Sequence, residues 1–424
     1  MLNGITGIYF FSKLENKLVK YRCVTEKFDY MTIKYASDIY VKAVGVFGND
    51  ADGFFHRPFY LEPGERTLSF FISREEKTVA DFVGVNYINL ENKKGRLEIK
   101  SIEFSVRKRF KSAVLENDEI IAGFSADKGG VLSFLTSKKY SVKEFLLNDE
   151  PVISFEKEKP LNVKENSNLI NVYDNGRYPQ QVFYGTDKPP YSASVYRETL
   201  WRMNPVQSGD SYGFLSEIVD YRVDKEKVYF RLIPLDWAKK NVPCDAYMEC
   251  EYSLFGNAVK VKNKFVDFSM LNVGLCVAPL YQEFPSFNVI QTLNKFFLPS
   301  QKAFKKDIPL TFWGEEESVS KQKFYVETFW SAWLNADNFG LGLYTPETLE
   351  HFVGKYKSEE NDDVLPSCNS KSVNYMAGIR KASLESLVPV KYEYYIAVGS
   401  VKEIQSVFAK ISKKKRKGND DERF

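Results

Sequence analysis

Apolar residues in this chain recur at every second position along many short segments, and that period sets the fold class. Met31, Ile33 and Tyr35 alternate with polar neighbours, and Ile39, Val41 and Ala43 follow the same rule. Leu97 and Ile99 alternate, then Ile102 and Phe104 resume one residue out of phase, which predicts a β-bulge. Met248, Cys250, Tyr252 and Leu254 form one face of a further strand, with Tyr247, Glu249, Glu251 and Ser253 on the other. Phe255-Gly256-Asn257 then turns into Val259-Lys260-Val261, a hairpin signal. More strands are predicted over 228–232, 324–330, 339–344 and 392–398. The pattern is that of an all-β protein.

Helix signals are few. Ser400 and Glu403 have capping-box spacing and precede Ile404, Val407, Phe408 and Ile411 on one face, so a short C-terminal helix is expected. A second short helix is drawn over 141–147. The 424 residues suggest two or three domains. Arg107-Lys108-Arg109 interrupts the strand pattern and places a boundary there. Residues 1–108 suit one β-sandwich, with Leu61-Glu62-Pro63-Gly64-Glu65 as a turn between strands. Residues 109–412 suit a larger antiparallel sandwich with long functional loops. Residues 413–424 read as a charged tail, from the basic run Lys413–Lys417 to Asp420-Asp421-Glu422.

Several function classes are disfavoured by composition. The formal net charge is +3, too small for a global basic field, so no nucleic-acid partner is expected. No segment is apolar over the ~20 residues that a bilayer-spanning helix needs. The N-terminus lacks a basic and then apolar leader, so the chain reads on its face as cytoplasmic, with secretion left open. The 5 Cys are widely spaced and form no C-x-x-C pair. The chain holds 34 Phe, 26 Tyr and 5 Trp against 2 His, an unfavourable balance for metal or His-based nucleophilic chemistry. His56 and His351 therefore read as packed or surface residues. The acidic run Glu359-Glu360-Asn361-Asp362-Asp363 reads as a solvated loop; a structural Ca²⁺ there would lack EF-hand spacing, and no cofactor is assigned.

The polar chemistry gathers in the second domain. All five Trp (201, 237, 313, 330 and 333) lie there, and Trp serves both cores and sites that stack a flat ligand face. The stretch 171–185 carries Asp174, Arg177, Gln180, Gln181 and Tyr184, and 201–210 carries Trp201, Asn204, Gln207 and Asp210. Amide, guanidinium and acid groups beside an aromatic ring suit a hydroxyl-rich ligand, whereas Asp174-Asn175-Gly176 and Ser208-Gly209-Asp210 equally suit plain turns. Glu283, within Tyr281-Gln282-Glu283-Phe284-Pro285, and Glu327, near Trp330, place carboxyls beside aromatic rings. A carboxyl so placed suits general acid chemistry near neutral pH, and glycoside hydrolysis uses two.

The first domain resembles carbohydrate-binding-module-like, jelly-roll-type sandwiches, through Leu61-Glu62-Pro63-Gly64 and Gly95–Ser101 with Ile102. The remainder resembles the large galactose-mutarotase-like (supersandwich) domains of bacterial carbohydrate-active proteins. That resemblance is carried by Asp174, Gly176, Arg177, Gln180-Gln181, Asn204–Gln207, Gly209-Asp210, Asn241-Val242-Pro243, Gly256–Val259 and Glu327 with Trp330. It implies a poly- or oligosaccharide partner. Neither His matches the His-and-carboxylate context of mutarotase-type epimerases, so the expected activity is glycoside hydrolysis by paired carboxylates. Asp210 and Glu327 are the first candidates, with Glu283 and Asp174 in reserve; Arg177, Gln180, Gln181, Tyr184, Trp201, Asn204, Gln207, Trp237 and Trp330 would hold the sugar. A non-catalytic glycan-binding protein and a purely structural interaction module are the alternatives.

Overall fold

The computed structural model describes residues 19–22, 28–49, 53–73, 82–91, 93–147, 150–157, 168–185, 191–193, 199–201, 203–273, 279–299, 311–313, 319–358 and 368–421. The chain forms two compact units, residues 1–110 with 267–270, and residues 111–266 with 271–424. Both are built from antiparallel sheets.

Among the described residues of the first unit, Val19–Arg22, Phe82–Asn89, Val41–Asn49 and Gly53–Leu61 form one sheet in that order, and Gly64–Phe71, Tyr30–Ser37 and Leu97–Ser105 form another. Their inner faces meet at the rings of Phe59 and Phe70, 4.9 Å apart. The alternating set Met31, Ile33, Tyr35, Val41 and Ala43 is buried. Lys34 pairs with Ser101 and Tyr35 with Ile99, so Lys100 is the extra residue of the bulge that the phase shift predicts. Gly64 opens its strand at φ 106°, a left-handed conformation that glycine adopts without a Cβ clash.

In the second unit, a seven-stranded sheet runs Leu235–Asp236, Pro205–Val206, Gln180–Val182, Leu280–Val289, Val373–Ala382, Glu350–Tyr356, Val319–Tyr325 among the described residues. A nine-stranded sheet runs Glu217–Val223, Lys227–Ile233, Ala246–Phe255, Ala258–Asp267, Val390–Ser400, Phe339–Tyr344, Trp330–Leu334, Lys295–Leu298, Thr311–Trp313. Aromatic pairs fill the layer between them, with Phe183 stacked on Phe265 at 4.3 Å and Phe284 edge-on to Tyr392 at 4.6 Å. The hairpin over Gly256-Asn257 forms as expected, with Gly256 at φ 56°.

The C-terminal helix, Val401–Asp421, lies on the other face of the nine-stranded sheet. Ser400 N–H and Oγ both donate to the Glu403 carboxylate, and Glu403 N–H returns a bond to Ser400 Oγ, closing the capping box. Ile404, Val407, Phe408 and Ile411 pack with Trp330, Tyr344 and Tyr395.

Three expectations are corrected. Residues 141–147 are not helical: Tyr140–Leu147 pairs residue by residue with Glu150–Lys157, and sheet pairing overrides the local helix preference. The strand expected over 324–330 is broken by a turn, so that one part, Val319–Tyr325, joins the seven-stranded sheet and the next, Trp330–Leu334, joins the nine-stranded one. The basic run Lys413–Lys417 continues the helix rather than forming a tail, and Lys415 is bonded to Glu393 on the adjacent strand.

Phe408 is fully buried on the sheet-facing side of the helix, so Phe408→Ala should destabilise the protein by about 3–5 kcal/mol, read as a lowered urea midpoint.

Candidate functional site

Most of the amide and acid groups that the sequence offers as ligands are buried scaffold. Gln180 is fully buried; its Nε2 donates to Asn175 O at 2.6 Å and its Oε1 accepts from Ser208 N–H at 2.9 Å. Gln181 donates from Nε2 to Glu249 O, bridging to the nine-stranded sheet, and its own N–H bonds to Gln207 Oε1. Gln207 in turn donates to Tyr252 Oη at 3.1 Å and Cys250 Sγ at 3.2 Å, deep between the sheets. Asn204 donates to Phe183 O at 2.8 Å. Asp210 is 1% exposed, and three backbone N–H groups converge on it: Tyr212 and Phe214 on Oδ1, and Asn241 on Oδ2 at 2.6 Å. Its carboxylate ties two loops together and is not presented to solvent.

Arg177 is a staple as well. It donates from Nε to Asp174 at 3.0 Å, and from one terminal nitrogen to Asn171 Oδ1, Ser370 O and Lys371 O. Asp174 also receives Gly176 N–H, a turn bond. Trp330 is fully buried under the helix, 5.5 Å from Phe408, and serves the core rather than a sugar. Trp237 is half-buried, with its backbone N–H bonded to Asn204 O. Trp201 ends the short strand Thr199–Trp201, and its side chain, like the acidic run 359–363, lies outside the described residues. Glu327 sits on an exposed turn past the last strand of the seven-stranded sheet, whereas Asp210 follows the second. Five strand spacings of about 4.8 Å separate those strands by roughly 24 Å, too far for one glycosidic bond to lie between the two carboxyls.

Two of the expected residues do come together. Tyr184 Oη donates to Glu283 Oε1 at 3.3 Å, and Tyr375 Oη donates to the same oxygen at 2.6 Å. Burial, then the nearby Glu283 charge, raises the Tyr375 phenol well above its usual pKa, so it stays a donor. Glu283 itself is 5% exposed. A register shift between Glu283 and Ser286 interrupts the pairing on both sides of this strand. Alternation turns Phe284 into the inter-sheet core and Glu283 outward, and the shift returns Ser286 to the face of Glu283.

Strand register then builds a surface around Glu283. Glu283 pairs with Ile379, Ile379 with Glu350, and Glu350 with Tyr325, so one row across four strands shares a face. Glu283 and Glu350 are two strand spacings apart, about 10 Å between Cα atoms. Tyr281 and Phe352 meet edge-to-face at 5.7 Å, one on each carboxylate's strand. Lys323 bridges the group, bonding Glu350 at 2.9 Å and Tyr281 Oη at 3.1 Å. Those bonds, that to Glu350 foremost, raise the Lys323 pKa. The segment 281–285 offered Glu283 to sequence reading; Glu350, Lys323 and Tyr375 are distant in sequence and carried no local signal.

On the opposite face of Glu350–Tyr356, His351 is sealed between Ser331 Oγ at 2.7 Å and Thr345 Oγ1 at 2.8 Å. Burial pushes its pKa down to about 3, so the ring is a neutral interior bridge.

No family model and no curated protein matches the chain. Among solved structures it is similar to a galactose mutarotase related enzyme of Lactobacillus acidophilus, at 10% identity and TM-score 0.38, over 68% of this chain and 98% of that one. It is similar at 8% identity and TM-score 0.40 to a galactose mutarotase-like protein of Lactobacillus casei, over 68% of this chain and 99% of that one. An alpha-mannosidase of Enterococcus faecalis matches at 10% identity and TM-score 0.33, over 92% of this chain and 42% of its own.

Two outcomes follow from the geometry. Asp210→Ala leaves three backbone donors without their carboxylate and should cost about 3 kcal/mol or more, seen as a lower Tm. For His351, the unfolded chain takes up a proton below pH 6.5 while the folded one resists until about 3. Stability should therefore fall through that window by up to about 1.4 kcal/mol per pH unit from this group. Denaturant titrations of His351→Gln should show a correspondingly shallower acid slope than the parent.

Proposed function

We propose that the protein is carbohydrate-active. It takes a poly- or oligosaccharide on the outer face of the seven-stranded sheet and hydrolyses a glycosidic bond between Glu283 and Glu350. The observation that carries this reading is the row Glu283–Ile379–Glu350, which sets two carboxylates on one face with the Tyr281 and Phe352 rings beside them. Side chains rooted about 10 Å apart at Cα are compatible with carboxyls at the roughly 6.5–9.5 Å that leaves room for a water, the inverting arrangement. One carboxyl then protonates the leaving oxygen while the other activates the water. Glu350 replaces Glu327 and Asp210 in this assignment. The first unit, in this reading, is an accessory carbohydrate-binding sandwich.

Non-catalytic glycan binding is the second reading, and one observation favours it. Both carboxylates are already engaged, Glu283 by two phenols and Glu350 by Lys323. The purified protein, incubated with a broad set of poly- and oligosaccharides, separates the two. Hydrolysis predicts a released product, with Glu283→Gln and Glu350→Gln each slowed at least about 100-fold while still binding the glycan. Saccharide binding without product would establish the second reading, and the absence of both would exclude either.

A further inference from the structure

The outer face extends well past the two carboxylates. Tyr325 is 60% exposed and Tyr356 is 54% exposed, against 37% for Tyr281. Tyr356 lies four residues beyond Phe352 on one strand, about 13 Å along it, and alternation keeps both on the face of Glu350. Tyr325 shares the row of Glu350 on the edge strand, three strand spacings, or roughly 14 Å, from the strand of Tyr281. Four aromatic rings thus spread over an area that a single sugar seated at Glu283 could not reach. Two cations, Lys323 paired with Glu350 and the exposed Lys381 in register with Tyr281, stand on this face against the carboxylates of Glu283 and Glu350, so the middle of the surface is close to neutral. Exposed aromatic rings offer flat apolar faces, and the C–H faces of neutral sugar rings are matched to them.

We infer that this face is a set of subsites for a run of several neutral sugar units, with Tyr325 and Tyr356 holding units remote from Glu283 and Glu350. The inference rests on the glycan reading above and adds its substrate class: an extended neutral chain rather than a mono- or disaccharide or a uronate-rich polymer. Strand register fixes where each ring is rooted, and a tyrosine has only two side-chain torsions, so little side-chain freedom is lost on binding. Binding should therefore tighten with chain length until the outer rings are filled.

The test uses the full-length protein and a glycan array that carries each neutral and acidic chain as disaccharide and hexasaccharide, with calorimetry on the hits. The expected result is a hexasaccharide preference for a neutral chain. The ratio of hexa- to disaccharide affinity should fall about tenfold in Tyr325→Ala with Tyr356→Ala. Both rings are exposed, so an unchanged Tm verifies that the double variant is folded. Equal affinity for both lengths, or preference for acidic chains, would overturn the inference and leave the glycan reading standing. Binding to no glycan would remove both. A parent that sediments as a dimer, and a double variant that sediments as a monomer, would identify the face as an interface between copies and overturn the inference.

Discussion

The pairing of Leu280–Val289 with Val373–Ala382 is the constraint on which the candidate site depends. In an antiparallel ladder a one-residue slip exchanges the faces of every side chain that follows. Glu283 pairs with Ile379 and Ser286 with Ala377, so three residues on one strand span two on the other. Without that extra residue, Glu283 and Ser286 would lie on opposite faces. Alternation sends Phe284 inward to the aromatic layer and Glu283 outward to Tyr184 and Tyr375, and the irregularity keeps Ser286 on the outer face with Glu283.

Around that register the molecule uses its polar side chains chiefly to satisfy backbone. Gln180, Asn204 and Asp210 each complete bonds that the loops at 171–178, 203–215 and 236–243 cannot make among themselves. A buried N–H or C=O without a partner is expensive, and a short amide or acid is the economical remedy. Those three loops are thereby tied to one another and to the strands beside them.

The fold was legible where information is local. Period-two alternation located the strands of both sandwiches, the phase slip after Ile99 located the bulge at Lys100, and Ser400 with Glu403 located the helix start. Each depends on residues within a few positions of one another. The hairpin at 140–157 was missed because partner strands, not local preference, decide it. The site was only half legible for a similar reason. Asn, Gln and Asp have the same composition whether they face a sugar hydroxyl or a peptide group, and here they face peptides. Trp330 was drawn toward the site by its neighbours in sequence, but alternation sends it under the helix. Glu350, Lys323 and Tyr375 meet Glu283 only through long-range register, which no window of sequence displays.

The place of Val390–Ser400 in its sheet has a consequence for how the chain is made. That strand lies in the middle of the nine, with Ala258–Asp267 on one side and Phe339–Tyr344 on the other. During synthesis, four strands from the region 217–267 and four from 295–344 emerge before the strand that joins them. Until the ribosome has released residues near 400, two half-sheets present open edges to each other and to the surrounding solution. Closing them requires contacts of long sequence separation, a slow step that exposes unpaired strand edges while it waits. Newly made chains should therefore depend on chaperone protection until that strand emerges, and a strand made after all its sheet neighbours, not the first one made, commits the sheet to its fold.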